Sequence, residues 1–235
     1  MTKIIGLVQL KGGVGRSTLA TNLAGMLAEQ ASVALVDCDA PQHTCSHWLE
    51  QRRALYEIDE TLDLFQPATP RALLKTLNDA QENYDYVVID CPPRLDGFSK
   101  IAMVMADLVL LPLGPSAAEI WSVEEMLTAL EEAKSVNHAI DVRIVWNRFR
   151  GYTKSANENA DIAKKSLKLP EMKTRVSLRV AYADALAEGL TVHEYTDKNA
   201  RVEIWSLTSS ISRTLSKSKS IRPDDKAVME FAKKN

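Results

Sequence analysis

No hydrophobic run in this 235-residue sequence approaches the roughly 18 apolar residues that a membrane-spanning helix needs. The first residues lead straight into a short apolar segment, without the longer apolar stretch and the small-residue cleavage site of a signal peptide. The three cysteines are an odd and sparse set, which excludes the disulfide framework of a small secreted protein. We therefore expect a soluble protein of the reducing cytoplasm that does not bind membranes.

The sequence also lacks internal repeats, low-complexity segments and an overall excess of basic residues. Its formal net charge is -2, but the charge is unevenly distributed. Residues 1–142 hold 10 basic and 20 acidic residues, whereas residues 143–179 hold 10 basic and 3 acidic residues. This basic region, residues 143–179, could face a polyanion although the chain as a whole is acidic.

What the sequence does contain is the pattern of an α/β protein. Five short, β-branched and nearly continuous apolar runs are typical of strands buried on both faces of a sheet. These runs cover residues 4–10, 33–36, 86–89, 108–111 and 142–146. Amphipathic helical patterns lie between them, at residues 17–29, 42–53, 70–78, 117–134 and 156–168. Alternating strands and helices predict one domain with a mostly parallel, twisted sheet and helices on both faces.

The C-terminal part is predicted to be helical at first and polar at its end. Residues 180–215 show the pattern of two helices around the turn-like segment 188–191. The tail, residues 216–235, is polar and is expected to be weakly ordered. A few apolar residues in it could form a short membrane-binding helix, but an acidic residue interrupts their face, so a frayed end is the preferred interpretation.

A glycine-rich segment directly after the first predicted strand predicts a phosphate-binding loop. In such a loop consecutive backbone N–H groups point at phosphate, and the start of the following helix adds its positive end. The serine that opens the helix has the hydroxyl that such loops place on Mg²⁺, and the threonine after it can donate to a more internal phosphate. The segment consists of Lys11, Gly12, Gly13, Val14, Gly15, Arg16, Ser17 and Thr18.

Three further polar features lie where a phosphate-binding fold needs them. Asp37 and Asp39 follow the second predicted strand, at the end where open α/β sheets bind ligands. Asp90 ends an apolar strand in the manner of a Walker B element, the acidic residue that holds Mg²⁺ through water. Asn147 ends another buried strand, at a position able to read an adenine edge. Together with the loop, these features predict a site for ATP and Mg²⁺.

These motifs resemble those of the ParA/MinD family of deviant Walker ATPases. The family has K-G-G-x-G-K-S/T-T in its loop, D-x-D-P-Q after the second strand and D-C-P-P after the Walker B strand. The similar segments of this chain are residues 11–18, 37–42 and 90–93. The likeness covers nearly the whole chain and is closest to small plasmid partition proteins without an N-terminal DNA-binding domain. It implies a P-loop NTPase fold over residues 1–215.

The resemblance implies a role for each matching residue. Lys11 matches the signature lysine, which reaches the phosphates of the partner subunit in an ATP-sandwich dimer. Asp39 matches the acid that positions or activates the attacking water, and Asp37 and Asp90 match carboxylates of the Mg²⁺ shell. Asp39 belongs to the first switch segment and residues 90–96 form the second, both ordered by the γ-phosphate of ATP.

One position departs from the family pattern, because Arg16 stands where the family has its P-loop lysine. An arginine keeps the charge and can bind phosphate with two parallel hydrogen bonds, but its planar fork is bulkier than an ammonium. With Lys11 and Asp39 as the other catalytic residues, Arg16 predicts a weak or slow, partner-stimulated ATPase. If Arg16→Lys leaves turnover unchanged, this hypothesis is wrong.

The resemblance also implies macromolecular partners. Family members bind DNA non-specifically as ATP-dependent dimers, through basic residues of the C-terminal half, and a cargo-bound, ParB-like adaptor protein releases them by stimulating hydrolysis. Neutralising DNA phosphates needs no base-reading motif, although a solvated charged surface is the usual explanation of a basic region. Such a protein associates with the nucleoid in its ATP form and partitions a plasmid, a chromosome or another large cargo. The candidate DNA contacts are Lys164, Lys165, Lys168, Lys173, Arg175 and Arg179.

Two other functions stay open from the sequence. One is a nucleotide-dependent scaffold with little hydrolysis, in which Arg16 holds ATP. The other is a MinD-like positioning protein that binds membranes. Phosphate release tests the first alternative, and co-sedimentation with liposomes tests the second.

Overall fold

The apolar runs form one parallel sheet. The structure, a computed structural model, describes residues 1–55 and 61–234. Its strands are β1 (Lys3–Leu7), β2 (Val33–Asp37), β3 (Leu62–Phe65), β4 (Tyr86–Asp90), β5 (Leu108–Leu113) and β6 (Asp141–Trp146). Across the sheet the order is β3-β2-β4-β1-β5-β6, and each neighbouring pair is parallel. The predicted parallel sheet is confirmed.

Helices cover both faces of the sheet, because alternate strand residues point to opposite faces. The helices are α1 (Arg16–Ala28), α2 (Thr44–Leu55), α3 (Pro70–Asn83), α4 (Gly97–Met105), α5 (Ala117–Val136), α6 (Lys154–Leu167), α7 (Ala181–Ala187), α8 (Lys198–Leu215) and α9 (Asp225–Lys233). Val36 and Ile89 pack into one core with α3, α4, α5, α6 and α9. Leu35 and Val88 pack into the other core, with α1, α2, α7 and α8. The predicted single-domain α/β fold is thus confirmed.

Two elements of the fold, β3 and α4, are not predicted by the sequence pattern. β3 has four residues at the edge of the sheet, and Leu62 alone among them is buried, so its apolar pattern is weak. In α4 the seven residues from Ser99 to Met105 are all buried, which removes the polar face on which helical periodicity depends. The start of α4 is fixed by Asp96, whose carboxylate accepts hydrogen bonds from the backbone N–H groups of Phe98 and Ser99.

The end of the chain is ordered, in contrast to the predicted frayed tail. Val228 and Phe231 of α9 are buried in the core that α9 shares with α4. Lys100 of α4 donates a hydrogen bond to the carbonyl of Lys234, while Asn235 lies outside the described residues. The sequence pattern of the tail predicted too little order, because a nine-residue helix needs only a few apolar residues to form a buried face. This packing uses the apolar face on which a membrane-binding helix would depend, and none of the described helices is long and apolar enough to span a membrane.

The segment before α9 is tied to the sheet by Arg222. Its guanidinium donates to both carboxylate oxygens of Asp107, at 3.0 and 2.8 Å, and to the carbonyl of Thr2 at 2.9 Å. The backbone N–H of Ile4 donates to the same buried carboxylate at 2.8 Å. Burial by itself raises the pKa of Asp107, but the hydrogen bonds from Arg222 and Ile4 outweigh burial and lower the pKa below its usual value. The carboxylate is therefore held in its charged form.

Replacing Arg222 with alanine is expected to lower the free energy of unfolding by about 3 kcal/mol at pH 7, because Asp107 is left buried without its cation. Since the pKa of Asp107 is lowered in the folded state, this contribution is complete above about pH 4 and is lost as the pH falls further. Urea unfolding at pH 7 and pH 3 measures both effects. The exposed Lys219→Ala serves as control and should cost less than about 0.5 kcal/mol. A cost below about 1 kcal/mol for Arg222→Ala would contradict the expectation.

Candidate functional site

The glycine-rich segment forms the loop between β1 and α1. Gly13 and Gly15 have φ angles of 77° and 87°, in the left-handed region that favours glycine. Gly15 is also the N-cap of α1, and no described side chain caps this helix, so the N–H groups of its first turn are available to a ligand. The loop lines a cavity of about 380 Å³ together with Asp39, Gln42, Thr44 and Pro93.

Two carboxylates meet beside the loop because β2 and β4 are neighbours. Asp37 and Asp90 end these strands and are paired in parallel register. The carboxylate of Asp37 accepts hydrogen bonds from the backbone N–H of Asp39 at 3.1 Å and from the backbone N–H and hydroxyl of Ser46 at 3.3 and 3.4 Å. The structure thus brings the predicted carboxylates together, and α2, which carries Ser46, fixes one of them.

Asp90 lies at the centre of this group. It is fully buried, and its Oδ2 accepts a hydrogen bond from the thiol of Cys45 at 3.4 Å. Burial raises the pKa of Asp90 to about 7, although the hydroxyl of Ser17 and the charge of Arg16 act in the opposite direction. Its Oδ1 has no hydrogen-bond partner among the described residues. A buried carboxylate oxygen of this kind is suited to a cation or to water bound to one.

The donor set fits a nucleotide-bound Mg²⁺. Within the described residues, no three or more His, Cys, Asp or Glu side chains form a closed metal site. Mg²⁺ in a nucleotide site needs no such closed group, because it takes one or two carboxylates and completes its shell with phosphate oxygens and water. Ser17, Asp37 and Asp90 supply the hydroxyl and carboxylate oxygens that such an ion requires.

The guanidinium of Arg16 is turned under the loop, and the residue is only 5% exposed. Its Nε donates to the carbonyl of Cys91 at 2.8 Å, and its Nη1 donates to the carbonyls of Gln9 and Lys11 at 2.8 and 3.0 Å. Two of its three nitrogens are therefore engaged by the backbone. The two parallel hydrogen bonds to phosphate that the sequence suggested do not fit this arrangement, because the fork faces carbonyl oxygens.

Arg16 also lies between two of the carboxylates. Its Nη2 is 3.6 Å from Oδ2 of Asp39, and its Nε is 3.9 Å from Oδ1 of Asp90. Burial raises the pKa of Asp39, and the charge of Arg16 offsets part of this rise. The site therefore contains its own cation, in contact with the loop and with the acids beside it.

Known proteins share both the sequence and this arrangement of elements. A family model described as an AAA domain matches residues 46–142. The maintenance of carboxysome distribution protein A of Halothiobacillus neapolitanus is 30% identical over 81% of this chain and 86% of that protein. The chain belongs to the ParA/MinD family of P-loop ATPases. Another relative, the sporulation initiation inhibitor protein Soj of Bacillus subtilis, is 26% identical over 87% of this chain and 96% of Soj.

Solved structures of the ParA/MinD family have the same fold. An ATP complex of a single-residue variant of McdA from Cyanothece superposes with a TM-score of 0.73 at 19% identity, over 90% of this chain and 96% of that one. MinD from Pyrococcus horikoshii, complexed with Mg-ADP, gives a TM-score of 0.72 at 20% identity, over 91% of this chain and 97% of that one. Nucleotide and Mg²⁺ binding is thus a property of the ParA/MinD family.

Lys11 and Asn147 occupy different surroundings in this member of the ParA/MinD family. The ammonium of Lys11 has no hydrogen bond or ion pair with any described residue, so it is free to reach another molecule. The side-chain amide of Asn147 donates to the carbonyl of Val14 at 2.7 Å, and Arg148 donates to the carbonyl of Gly13 at 2.6 Å. Asn147 and Arg148, which directly follow β6, thus stabilise the loop through its backbone carbonyls. Contact between Asn147 and adenine stays a prediction.

Sequence reasoning missed Gln9, which anchors the loop from the other side. Its Oε1 accepts hydrogen bonds from the backbone N–H of Leu10 at 2.8 Å and from the hydroxyl of Ser122 at 3.0 Å. Its amide nitrogen donates to the carbonyl of Pro112 at 3.3 Å. Gln9 thereby connects the loop to β5 and α5. The signal in the sequence was a single amide within the apolar run that was assigned to the first strand.

The predicted DNA contacts fall into two groups, lysines that are exposed and arginines that contact other residues of the protein. Lys164 and Lys165 lie exposed in the last turn of α6, and Lys168 ends that helix with a φ of 51°. Lys173 is also exposed and lies in a separate cleft of about 470 Å³. The other basic residues of this cleft are Arg143, Arg213 and Lys217. These lysines are accessible to a polyanion.

The two arginines of the predicted set are engaged within the protein. Arg175 stacks its guanidinium over the ring of Phe149, 4.5 Å from the ring centroid. Arg179 forms ion pairs with Glu203 at 3.1 Å and with Asp197 at 3.5 Å. These contacts join the segment before α7 to α8. Because these ion pairs offset the charge of its guanidinium, Arg179 is a weaker candidate for contact with DNA phosphates than its position in the basic region suggested.

Proposed function

We propose that this chain is a ParA-like ATPase that dimerises on ATP, binds DNA non-specifically and partitions or positions a large cargo. The observation that carries the proposal is the meeting of the glycine-rich loop, Asp39 and Asp90 around the carboxyl ends of β1, β2 and β4. Backbone N–H groups on one side and carboxylates on the other suit a nucleotide phosphate together with its cation.

The residues divide the chemistry between them. The N–H groups of the loop hold the phosphates, and Ser17, Asp37 and Asp90 hold Mg²⁺, which supplies neutralising charge when bound. Asp39 orients the attacking water and takes up its proton. The burial that raises the pKa of Asp39 makes it a better base than an exposed carboxylate. Steady-state phosphate release, with and without DNA, tests this assignment and distinguishes an ATPase from a scaffold that only holds ATP.

The edge of the sheet that carries the loop has the features of a face for a second copy of this chain. Exposed apolar side chains lie on the segments that surround this edge, with Trp121 62% exposed, Tyr152 87% exposed and Val180 74% exposed. Apolar groups of this kind are covered when two subunits meet. Lys11, unpaired among the described residues of its own chain, lies at the same edge and is partly exposed.

Dimerisation is tested by light scattering after gel filtration in ATP and in ADP. We expect a dimer in ATP, a monomer in ADP, and a dimer dissociation constant about tenfold or more higher in Val180→Asp, because a buried charge is added to the interface. Leu55→Asp is the matched control, since Leu55 is also exposed, at 61%, and ends α2, a full helix length away from Thr44 at the cavity. A wild-type chain that stays monomeric in ATP would exclude the dimer.

DNA binding is proposed to use the lysines of α6. Reversing two adjacent charges with Lys164→Glu and Lys165→Glu should lower retention on mixed-sequence DNA about tenfold or more in ATP. The matched control reverses Lys226 and Lys233 of α9 and should leave retention within about twofold. Retention should also fall steeply with salt, since it depends on counterion release. Binding that does not respond to salt or to the α6 variant would overturn this assignment.

The cargo and its adaptor are proposed by relationship. A ParB-like or other cargo-bound adaptor would stimulate hydrolysis, and the cargo would be a plasmid, a chromosome or, as in the name of the Halothiobacillus relative, a carboxysome. A MinD-like membrane function is a weaker candidate, because the apolar side chains of α9 are buried against α4. Co-sedimentation with anionic liposomes in ATP would support that alternative, and its absence would exclude it.

A further inference from the structure

The guanidinium of Arg16 joins three segments that are far apart in the sequence. Nη1 donates to the carbonyls of Gln9 and Lys11, at the start of the loop. Nε donates to the carbonyl of Cys91, within the second switch segment, residues 90–96. Nη2 lies 3.6 Å from the carboxylate of Asp39, within the first switch segment, residues 37–42. One side chain therefore contacts the loop and both switch segments.

This set of contacts requires an arginine. The guanidinium presents five N–H donors in a rigid plane, so its nitrogens can serve acceptors on different sides at once. A lysine ammonium has three donors on a single atom and cannot span the same acceptors. Since Nε and Nη1 of Arg16 are both engaged by carbonyls, Nη2 is the nitrogen left to face the cavity and Asp39.

We propose that Arg16 is a positioning residue that ties both switch segments to the loop, and that this role outweighs its direct binding of phosphate. The inference rests on the proposed nucleotide site for the meaning of the switch segments, but the tie itself is a property of the chain. It follows that part of the order that a nucleotide would otherwise impose on residues 37–42 and 90–96 is already supplied by Arg16.

Hydrogen exchange of the full-length protein, without added nucleotide, tests the tie. In both Arg16→Lys and Arg16→Gln, peptides that cover residues 37–42 and 90–96 should exchange about tenfold or more faster than in the wild type. Peptides from α8 should keep their wild-type rates and report that the fold is intact. The matched control is Arg148→Lys, which disturbs one hydrogen bond to the same loop, at Gly13, and should leave exchange in the switch segments unchanged.

ATP affinity, measured on the same variants, distinguishes a residue that ties the switch segments to the loop from a residue that binds phosphate directly. We expect Arg16→Lys to keep its ATP dissociation constant within about threefold of the wild type, and to gain more protection in the switch segments when Mg²⁺ and ATP are added. Wild-type exchange in the switch segments of both variants, with a loss of ATP affinity of about 100-fold in Arg16→Gln, would overturn the proposal. If Arg16→Gln does not fold, Arg16→Lys carries the test. A wild-type protein that binds no ATP would refute the proposed function and leave the exchange result standing.

Discussion

Gly15→Ala is expected to lower ATP affinity about 100-fold or more while the protein stays folded. Gly15 has a φ of 87°, and an added Cβ would lie 2.4 Å from the side-chain nitrogen of Asn147. The left-handed conformation costs an alanine about 1–2 kcal/mol, and the clash forces the loop or Asn147 to move. Because phosphate binding depends on N–H groups that converge on one point, a displaced loop loses most of it. Isothermal titration calorimetry measures the affinity.

A matched glycine in another loop controls for the change of residue type. At Gly151 an added Cβ would have its nearest heavy atoms at 3.7 Å, in the side chain of Phe149, so Gly151→Ala should keep ATP affinity within about twofold. Thermal unfolding without nucleotide should show that both variants are folded. ATP binding by Gly15→Ala within about tenfold of the wild type would mean that the loop geometry does not carry binding.

Asp39→Asn is expected to slow ATP hydrolysis about 100-fold or more without preventing ATP binding. The carboxylate of Asp39 borders the cavity and faces Arg16, and an amide of the same shape cannot take up a proton. Because burial raises the pKa of Asp39, turnover of the wild type should also fall as the pH is lowered through that pKa. Single-turnover phosphate release from pH 4 to pH 8 measures both effects.

ATP binding and dimer formation, which Asp39→Asn should retain, provide the control for this variant. If Asp39 acts on water, Asp39→Asn should still form the ATP dimer and should hold it longer than the wild type does. Asp63→Asn, at the half-exposed edge strand β3, should hydrolyse ATP at the wild-type rate. Equal turnover in the wild type and in Asp39→Asn at pH 7 would remove Asp39 from the mechanism.

The site was predictable to the extent that it depends on strand ends. Asp37 and Asp90 end short apolar runs, and the ends of parallel strands meet at one edge, so their proximity follows from the pattern. The direction of the Arg16 side chain does not, because its acceptors are carbonyls whose positions depend on the assembled sheet. The family motif D-x-D-P-Q also does not account for Ala40, an extra residue between Asp39 and Pro41 in this chain.

The fold was predictable where elements are long or strongly patterned. β3 is short and half-exposed, and α4 is buried on all sides from Ser99 to Met105, so neither has the periodicity that sequence analysis detects. α9 is amphipathic, but the surface that it covers is built by residues far away in the chain. Its order is therefore a tertiary effect that local pattern cannot supply.

The central place of β1 in the sheet determines when the nucleotide loop can form. β1 pairs with β4 and β5, and its partners Tyr86 and Leu108 lie far along the chain. Closing such long loops is entropically costly, and parallel pairing of distant strands is slow. A nascent chain that ends before β5 therefore contains residues 11–18 but lacks the strand pairing that shapes them into the nucleotide loop. ATP can bind only to chains whose sheet is already assembled, so it would stabilise the finished fold without guiding its assembly.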